Sequence, residues 1–249
     1  MHPDYFTVDL PFFWTHYITI TDATKISELF INLNSPYNPI ITAGVDRSDH
    51  QPAGRDTWSN IYDFYRVLES DTNIKFSYLH GYFGSNEPTG GGGAPYEVGI
   101  VPNHILTGYT ITDDVTAKPA NYHEFVESKH TKVMQLHPTN YDIISSTASA
   151  VADPSEVNRL MCNGGTNSCS FHYAPENWDY HVTQTGVEER WTPVDSSPEF
   201  KHYLGITAAA PGEYASDDKV TVRVDVYQTF KVQWREVGTV LKYNMDTDQ

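Results

Sequence analysis

Residues 220–234 alternate apolar and polar side chains with a period of two. Val220, Val222, Val224 and Val226 share one phase, while Thr221, Arg223, Asp225 and Tyr227 share the other. Gln228 places one polar residue in the apolar phase, which then resumes with Phe230, Val232 and Trp234. Successive side chains of a strand point to opposite faces, so this run reads as a strand with one buried face and one wet face. At ~3.4 Å per residue it reaches roughly 50 Å, longer than most strands of globular proteins. A bend, or a passage between two sheets, is expected near residues 227–229. Residues 6–20 repeat the pattern, with Phe6, Val8, Leu10, Phe12, Trp14, Ile18 and Ile20 in one phase and His16 interrupting it. Pro11 has no N–H to give to a ladder, so a bend, a bulge or a sheet edge is expected there.

Between these runs the periodicity is shorter. Residues 32–54 are rich in Pro, Asn, Asp and Gly and read as a long loop. Trp58, Ile61, Tyr62 and Tyr65 then stand at i, i+3, i+4 and i+7, one face of a helix that Asp56 or Thr57 would cap. Ile74, Phe76 and Tyr78 form a strand. Residues 81–95, with four consecutive glycines, read as an exposed loop. Further strands are expected over 97–105, 132–136, 141–144 and 200–209, and a short helix over 122–129. Asp153-Pro154-Ser155-Glu156 has the capping pattern of a helix start, with Val157, Leu160 and Met161 as its apolar face. Residues 212–219 read as an acidic turn. No internal repeat or linker stands out, so residues 1–249 are read as one domain.

The fold expected from this order is all-β: a single eight-stranded antiparallel jelly roll, a β-sandwich with long loops and two or three short helices. Aromatic residues make up 13% of the chain, a bias that suits strands and contact surfaces better than a helix bundle. No window approaches eighteen apolar residues, so no transmembrane span is expected. Met1-His2-Pro3-Asp4 lacks the basic and apolar parts of a secretory signal, and adaptation to secretion is not expected. The net charge of −16 argues against nucleic-acid binding by the chain as a whole. Residues 220–242 depart from it, with Arg223, Lys231, Arg235 and Lys242 against Asp225 and Glu236.

Catalytic motifs are missing. The sequence has no Gly-x-Ser-x-Gly elbow, no phosphate-binding Gly-x4-Gly-Lys-Ser/Thr and no His-Glu-x-x-His. Its eleven histidines are scattered, without the close cluster a metal-binding cupin needs. No catalytic residue is assigned, no cofactor is expected, and the chain is read as a non-enzyme. A glycosidase acid pair is set by distance in space, so 32 carboxylates leave that reading open. The acidic pairs Asp46 and Asp49, Asp113 and Asp114, and Asp217 and Asp218 fall in loops. They suit either Ca2+ between subunits or, the preferred reading, solvated turns, and no metal is assigned. Cys162 and Cys169 flank Asn163-Gly164-Gly165-Thr166-Asn167-Ser168, read as a loop carrying two reduced thiols, with a disulfide across it as the alternative.

The segment Gln51-Pro52-Ala53-Gly54-Arg55-Asp56-Thr57-Trp58, continuing through Tyr62, Tyr65 and Arg66-Val67 to Ile74-Lys75-Phe76, resembles capsid proteins of small circular single-stranded DNA viruses (circovirus-like, Rep-encoding). Glu127-Ser128-Lys129-His130-Thr131-Lys132-Val133 resembles the middle of that family, and residues 220–236 resemble its closing strands. The resemblance covers residues 6–237 in patches and in order. It implies a jelly-roll protomer that self-assembles into an icosahedral shell around a circular single-stranded DNA genome. It implies residence in the virion, and in the host cell, nucleus included, during assembly. Family members carry an Arg/Lys-rich N-terminal arm on the packaged DNA. Here the first basic residue is Lys25, so the arm is absent from this chain and truncation or processing is expected.

Site residues follow from this reading. Arg223, Lys231 and Arg235 are expected to face nucleic acid, against the reading that they are a solvated strand face. Arg55, Tyr65 and Arg66 are expected at the subunit interface, with local ion pairing as the competing role of each arginine. Expected partners are copies of the chain itself, packaged single-stranded DNA held mainly by the missing arm, and an unidentified host receptor reached by loops such as 81–95. No membrane partner is expected. A jelly-roll lectin that stacks Trp and Tyr on sugars, and a jelly-roll glycosidase, are the rival readings.

Overall fold

In a computed structural model of the chain, the alternation of 220–234 becomes one strand in which every apolar-phase residue is buried. The structure describes residues 5–21, 25–42, 45–47, 50–83, 105–116, 119, 121–127, 131–145, 158–175, 191–210 and 219–237. In chain order the elements are β1 (Tyr5–Thr21), β2 (Ile26–Asn32), β3 (Ile40–Thr42), β4 (Val45–Arg47), α1 (Arg55–Ser59), β5 (Tyr62–Phe83), β6 (Ile105–Thr112), α2 (Tyr122–Glu127), β7 (Thr131–Leu136), β8 (Asn140–Ser145), β9 (Asn158–Asn163), β10 (Thr166–Tyr173), β11 (Thr192–Pro193), β12 (Tyr203–Ala209) and β13 (Lys219–Val237).

The strands form two sheets, and every pairing among the described residues is antiparallel. The first sheet runs β1-β13-β5-β9-β8, with β10 and β11 also on β5; the second runs β4-β3-β2-β12-β6-β7. The first strand therefore pairs with the last, and the chain alternates between sheets as it winds. The sets β1-β13-β5-β10 and β2-β12-β6-β7 are the two four-stranded layers of a jelly roll. β1 is an edge strand of its sheet, which is where Pro11 is tolerated, and its register runs unbroken past Pro11 opposite Thr229.

The core lies between the layers. Ile18, Ile20, Ile74, Phe76, Tyr78, Val220, Val222, Val224 and Val226 of the first sheet meet Ile31, Ile105, Leu136, Leu204 and Ile206 of the second. A second cluster comprises Leu10, Phe12, Ile40, Tyr62, Tyr65, Val67, Phe230, Val232 and Trp234. Gln228 belongs to this buried phase: its Nε2 donates to the backbone oxygen of Asn32 at 3.0 Å, bridging the two sheets. β13 stays in the first sheet through 227–229, without a register shift there. Its register shifts against β5 fall between Thr221 and Val222 and between Lys231 and Val232.

Several expectations need correction. The helix read from Trp58, Ile61, Tyr62 and Tyr65 ends at Ser59, and Tyr62 already opens β5. The register shift at Lys231/Val232 skips Leu68, and Glu236 adopts a positive φ of 60° opposite the start of β5. Of the four residues at helical spacing only Tyr62 and Tyr65 lie on β5, and both are buried. The loop expected over 32–54 contains the short hairpin β3–β4. Leu160 and Met161 lie on β9, not on a helix. Residues 137–139 carry the chain from β7 in the second sheet to β8 in the first. β9 and β10 lie end to end along β5, Cys162 opposite Gly81 and Cys169 opposite Ile74. Seven residues of strand put these cysteines on the order of 20 Å apart, far beyond disulfide reach. Cys169 is a free buried thiol whose pKa burial raises to about 11. Residues 84–95, 97–104, 153–157 and 211–218, where a loop, a strand, a helix start and an acidic turn were expected, lie outside the described residues.

His16 occupies the core phase of β1, 5.1 Å from the Trp14 ring, and burial lowers its pKa from 6.5. His80 is shifted in the same direction, with Lys219 adding repulsion to burial. A depressed histidine pKa means that the unfolded chain binds the proton first. Stability is therefore full above pH 6.5 and falls as pH drops below it. Most carboxylates titrate below about pH 5, so pH 5.5 to 7 isolates the histidine contribution. The melting temperature is expected to fall across that window in calorimetry, and to fall less in His16→Gln.

Candidate nucleic-acid-facing and assembly surface

The first sheet buries one face and leaves the other open, and the register fixes what the open face carries. Across β1, β13 and β5 its rows read Tyr5, Arg235 and Phe64; Thr7, Gln233 and Arg66; Asp9, Lys231 and Glu69; Pro11, Thr229 and Asp71; Phe13, Tyr227 and Asn73; Thr15, Asp225 and Lys75; Tyr17, Arg223 and Ser77. Arg223, Lys231 and Arg235 thus share this face, at one end, the middle and the other end of β13.

Each of the three is already engaged. Arg223 Nε donates to Asp225 Oδ1 at 2.8 Å, and Asp225 also accepts from Thr15 Oγ1 at 2.8 Å. Lys231 Nζ donates to Glu69 Oε1 at 2.7 Å. Arg235 Nε lies 3.2 Å from Glu236 Oε1. The bonds to Asp225 and Glu69 raise the pKa values of Arg223 and Lys231, holding both charged. His172 sits in the same neighbourhood, 2.8 Å from Asp71 and 4.0 Å from Glu69. The face as a whole is close to charge balance, so it is not a bare cationic surface.

Aromatic rings were not among the residues expected to face nucleic acid, yet several large hydrophobic side chains exposed here are aromatic. Tyr5, Phe13, Tyr17 and Tyr227 are each 45–56% exposed. Phe13 and Tyr227 pair across β1 and β13 with centroids 4.7 Å apart. The signal was present in the sequence: each occupies the wet phase of a strand, where a polar residue is the rule.

The residues expected at an interface separate. Tyr65 lies in the core at 1% exposure, 5.9 Å from the Trp234 ring, with its hydroxyl donating to Ser196 O at 2.9 Å. Burial pushes that phenol far above its ordinary pKa. Its ring has no area to offer a neighbour. Arg55 is 5% exposed and bonds locally, to Gln51 Oε1 at 3.1 Å, Asp56 Oδ1 at 3.2 Å and the backbone oxygen of Val194, with its guanidinium 4.8 Å from the Tyr37 ring. It ties the loop before α1 to residues 194–195. Truncating a buried, fully bonded charge strands its partners, so Arg55→Ala is expected to cost about 2 kcal/mol in urea unfolding. Proteolysis near residue 194 should accelerate with it.

Arg66 is placed differently. Its Nε donates to Gln233 Oε1 at 2.8 Å and its guanidinium lies 4.8 Å from the Trp191 ring. β11 makes this contact, because pairing Thr192 with Tyr65 sets Trp191 beside Arg66. Arg235 reaches the same ring at 5.4 Å and Tyr5 at 6.0 Å. The structure therefore brings together Arg66 and Arg235, which the sequence assigned to different surfaces.

Of the loop carboxylates, Asp114 accepts from the Thr116 N–H at 2.8 Å and from its hydroxyl, which lowers the Asp114 pKa and accounts for it as a turn residue. Among the described residues no group of three or more His, Cys, Asp or Glu is placed to hold a metal.

No family model matches the sequence, and no curated protein matches it. Solved structures do. A decameric BFDV capsid protein is 10% identical, with a TM-score of 0.40 over 93% of this chain and 99% of that one. A 60-mer BFDV capsid protein is 12% identical, with a TM-score of 0.37 over 94% and 96%. Desmodium yellow mottle tymovirus gives 9% identity and a TM-score of 0.38 over 96% and 91%. The structural neighbours of this chain are viral capsid proteins.

Proposed function

We propose that this chain is a viral coat protein whose activity is assembly: one jelly-roll unit that tiles with copies of itself into a closed icosahedral shell around single-stranded DNA. The observation that carries the reading is where the capsid-like sequence pieces fall on a jelly-roll strand order. The two layers β1-β13-β5-β10 and β2-β12-β6-β7 hold the sequence pieces that resemble circovirus-like capsid proteins on α1, β5, β7 and β13. A jelly roll alone also suits lectins and cupins, so the sequence pieces decide between them. Burial of loop and sheet surface between repeated copies supplies the assembly energy. The chain acts without catalysis and resides in the virion, passing through the host cell, nucleus included, during assembly. A host receptor would meet the outer loops.

Negative-stain electron microscopy of the purified chain, over a range of salt and pH, tests the reading. Uniform closed particles, or ring-shaped fragments of them, are expected. Monomers under every condition, together with glycan binding or glycosidic cleavage, would replace it with the lectin or glycosidase reading.

A further inference from the structure

A polar layer lies between the two apolar clusters of the core. On β13 the buried phase passes from Val226 of one cluster to Phe230 of the other through Gln228, and on β5 it passes from Ile74 to Val67 through Thr72 and Ser70. Gln228, Thr72 and Ser70 are each at most 1% exposed. Gln228 stands opposite Thr72 in the β13–β5 register and opposite Phe12 in that of β1, so Thr72 is its polar neighbour. Two bonds leave the layer for the second sheet. Gln228 Nε2 donates to the backbone oxygen of Asn32 at 3.0 Å, and Ser70 Oγ donates to that of Leu33 at 2.7 Å. Two buried atoms of the layer, Gln228 Oε1 and Thr72 Oγ1, have no hydrogen-bond partner among the described residues. Such atoms are costly, and native interiors pair nearly all of them with protein or ordered water.

We propose that Gln228 Oε1 and Thr72 Oγ1 hold one ordered water molecule between the sheets, closing a hydrogen-bonded chain from β5 through the water and Gln228 to the backbone of β2. Directly opposite residues on paired strands have Cβ atoms ~4.5–5.5 Å apart. A threonine hydroxyl reaches only one bond beyond Cβ, whereas the bond to Asn32 draws the Gln228 carboxamide away from its own sheet. What spans the gap has to donate to the carboxamide oxygen and accept from the hydroxyl, and water does both. Ser70 Oγ, having given its proton to Leu33, keeps acceptor capacity for a third bond, the usual number for buried water. Serine, threonine and glutamine bring no charge to balance a cation, so burying an ion among them would be costly. A fully bonded polar layer also fixes one alignment of sheet on sheet, which apolar packing alone specifies less sharply. The site stands whether or not the chain forms shells.

Two measurements on the full chain test the site. The first is a structure, from crystals or from particles, at a resolution that shows ordered water. One density peak is expected within ~2.7–3.2 Å of both Gln228 Oε1 and Thr72 Oγ1. A direct bond between those two atoms, an ion in the gap, or no density there overturns the proposal. The second is urea unfolding of T72V, which keeps the shape of the side chain and removes the hydroxyl. With water in place the substitution takes away one of its partners, and the midpoint is expected to fall by about 0.3 M or more. In a dry layer the same substitution removes an orphaned hydroxyl, so a midpoint equal to or above that of wild type sinks the idea. Q228M removes the carboxamide from the other side of the water. In that background T72V should shift the midpoint by at most about half as much as it does in wild type, because the two groups act through one molecule. Equal shifts in both backgrounds count against the bridge. If either variant fails to unfold cooperatively, the density decides alone.

Discussion

Trp234→Ala is expected to lower the free energy of unfolding by about 3–5 kcal/mol, the usual cost of truncating a large buried aromatic side chain. Trp234 is fully buried and heads the set of largest fully buried side chains. It packs in the cluster of Leu10, Phe12, Ile40, Tyr62, Tyr65, Val67, Phe230 and Val232. Four strands, β1, β3, β5 and β13, contribute to that cluster, so the void left by the indole cannot be closed by moving one of them. One feature tempers the loss: the buried indole N–H has no hydrogen-bond partner. Trp234→Phe removes that donor, keeps a ring beside Tyr65, and should cost only about 1–2 kcal/mol. Domains have about 5–15 kcal/mol in reserve, so Trp234→Ala leaves little margin and the yield of particles should fall with it. Urea unfolding followed by far-ultraviolet circular dichroism measures both variants. A midpoint for Trp234→Ala equal to that of wild type would show that β1, β5 and β13 do not enclose this residue.

The alternation that places Trp234 in the core was readable because period two is local. β1, β13 and the 74–78 part of β5 follow it, and so does the assignment of Arg223, Lys231 and Arg235 to one face. What the sequence concealed depends on distant partners. The 58–65 spacing straddles two elements, Trp58 on α1 and Tyr62 and Tyr65 on β5, and the division depends on pairing with the distant β13. Gly164 and Gly165 read as a loop tip, but they are a kink within a strand that continues along β5 as β10. The burial of Arg55 and Tyr65, and the meeting of Arg66 with Trp191, all come from residues 191–196. Their bonds to Arg55 and Tyr65 span 139 and 131 positions of sequence. No local pattern could have named Trp191 as a partner of Arg66.

The glycine kink gives the second large effect. Gly165→Ala is expected to cost about 3 kcal/mol or more, whereas Gly54→Ala should cost about 1 kcal/mol. Both glycines have left-handed backbone, with φ of 90° and 82°, so alanine meets the same conformational penalty at each, about 1 kcal/mol or slightly more. They differ in surroundings. A Cβ at Gly54 would have nothing within 4 Å, while one at Gly165 would stand 1.9 Å from the backbone oxygen of His137. No side-chain rotation relieves a clash with a carbonyl, so the crossing at 137–139 has to move. That movement strains the bonds around it: Tyr78 N–H to Gly165 O at 2.9 Å, Gly164 N–H to Tyr78 O at 3.0 Å and Thr139 N–H to Asn163 O at 3.0 Å. Each is worth about 1 kcal/mol, and more when a buried group is left unpaired. Because the crossing joins β7 of one sheet to β8 of the other, the damage reaches both layers. Subtracting the Gly54→Ala value from the Gly165→Ala value in one unfolding series removes the backbone strain and leaves the contact with His137. A difference near zero would mean that the 137–139 crossing does not press against the kink.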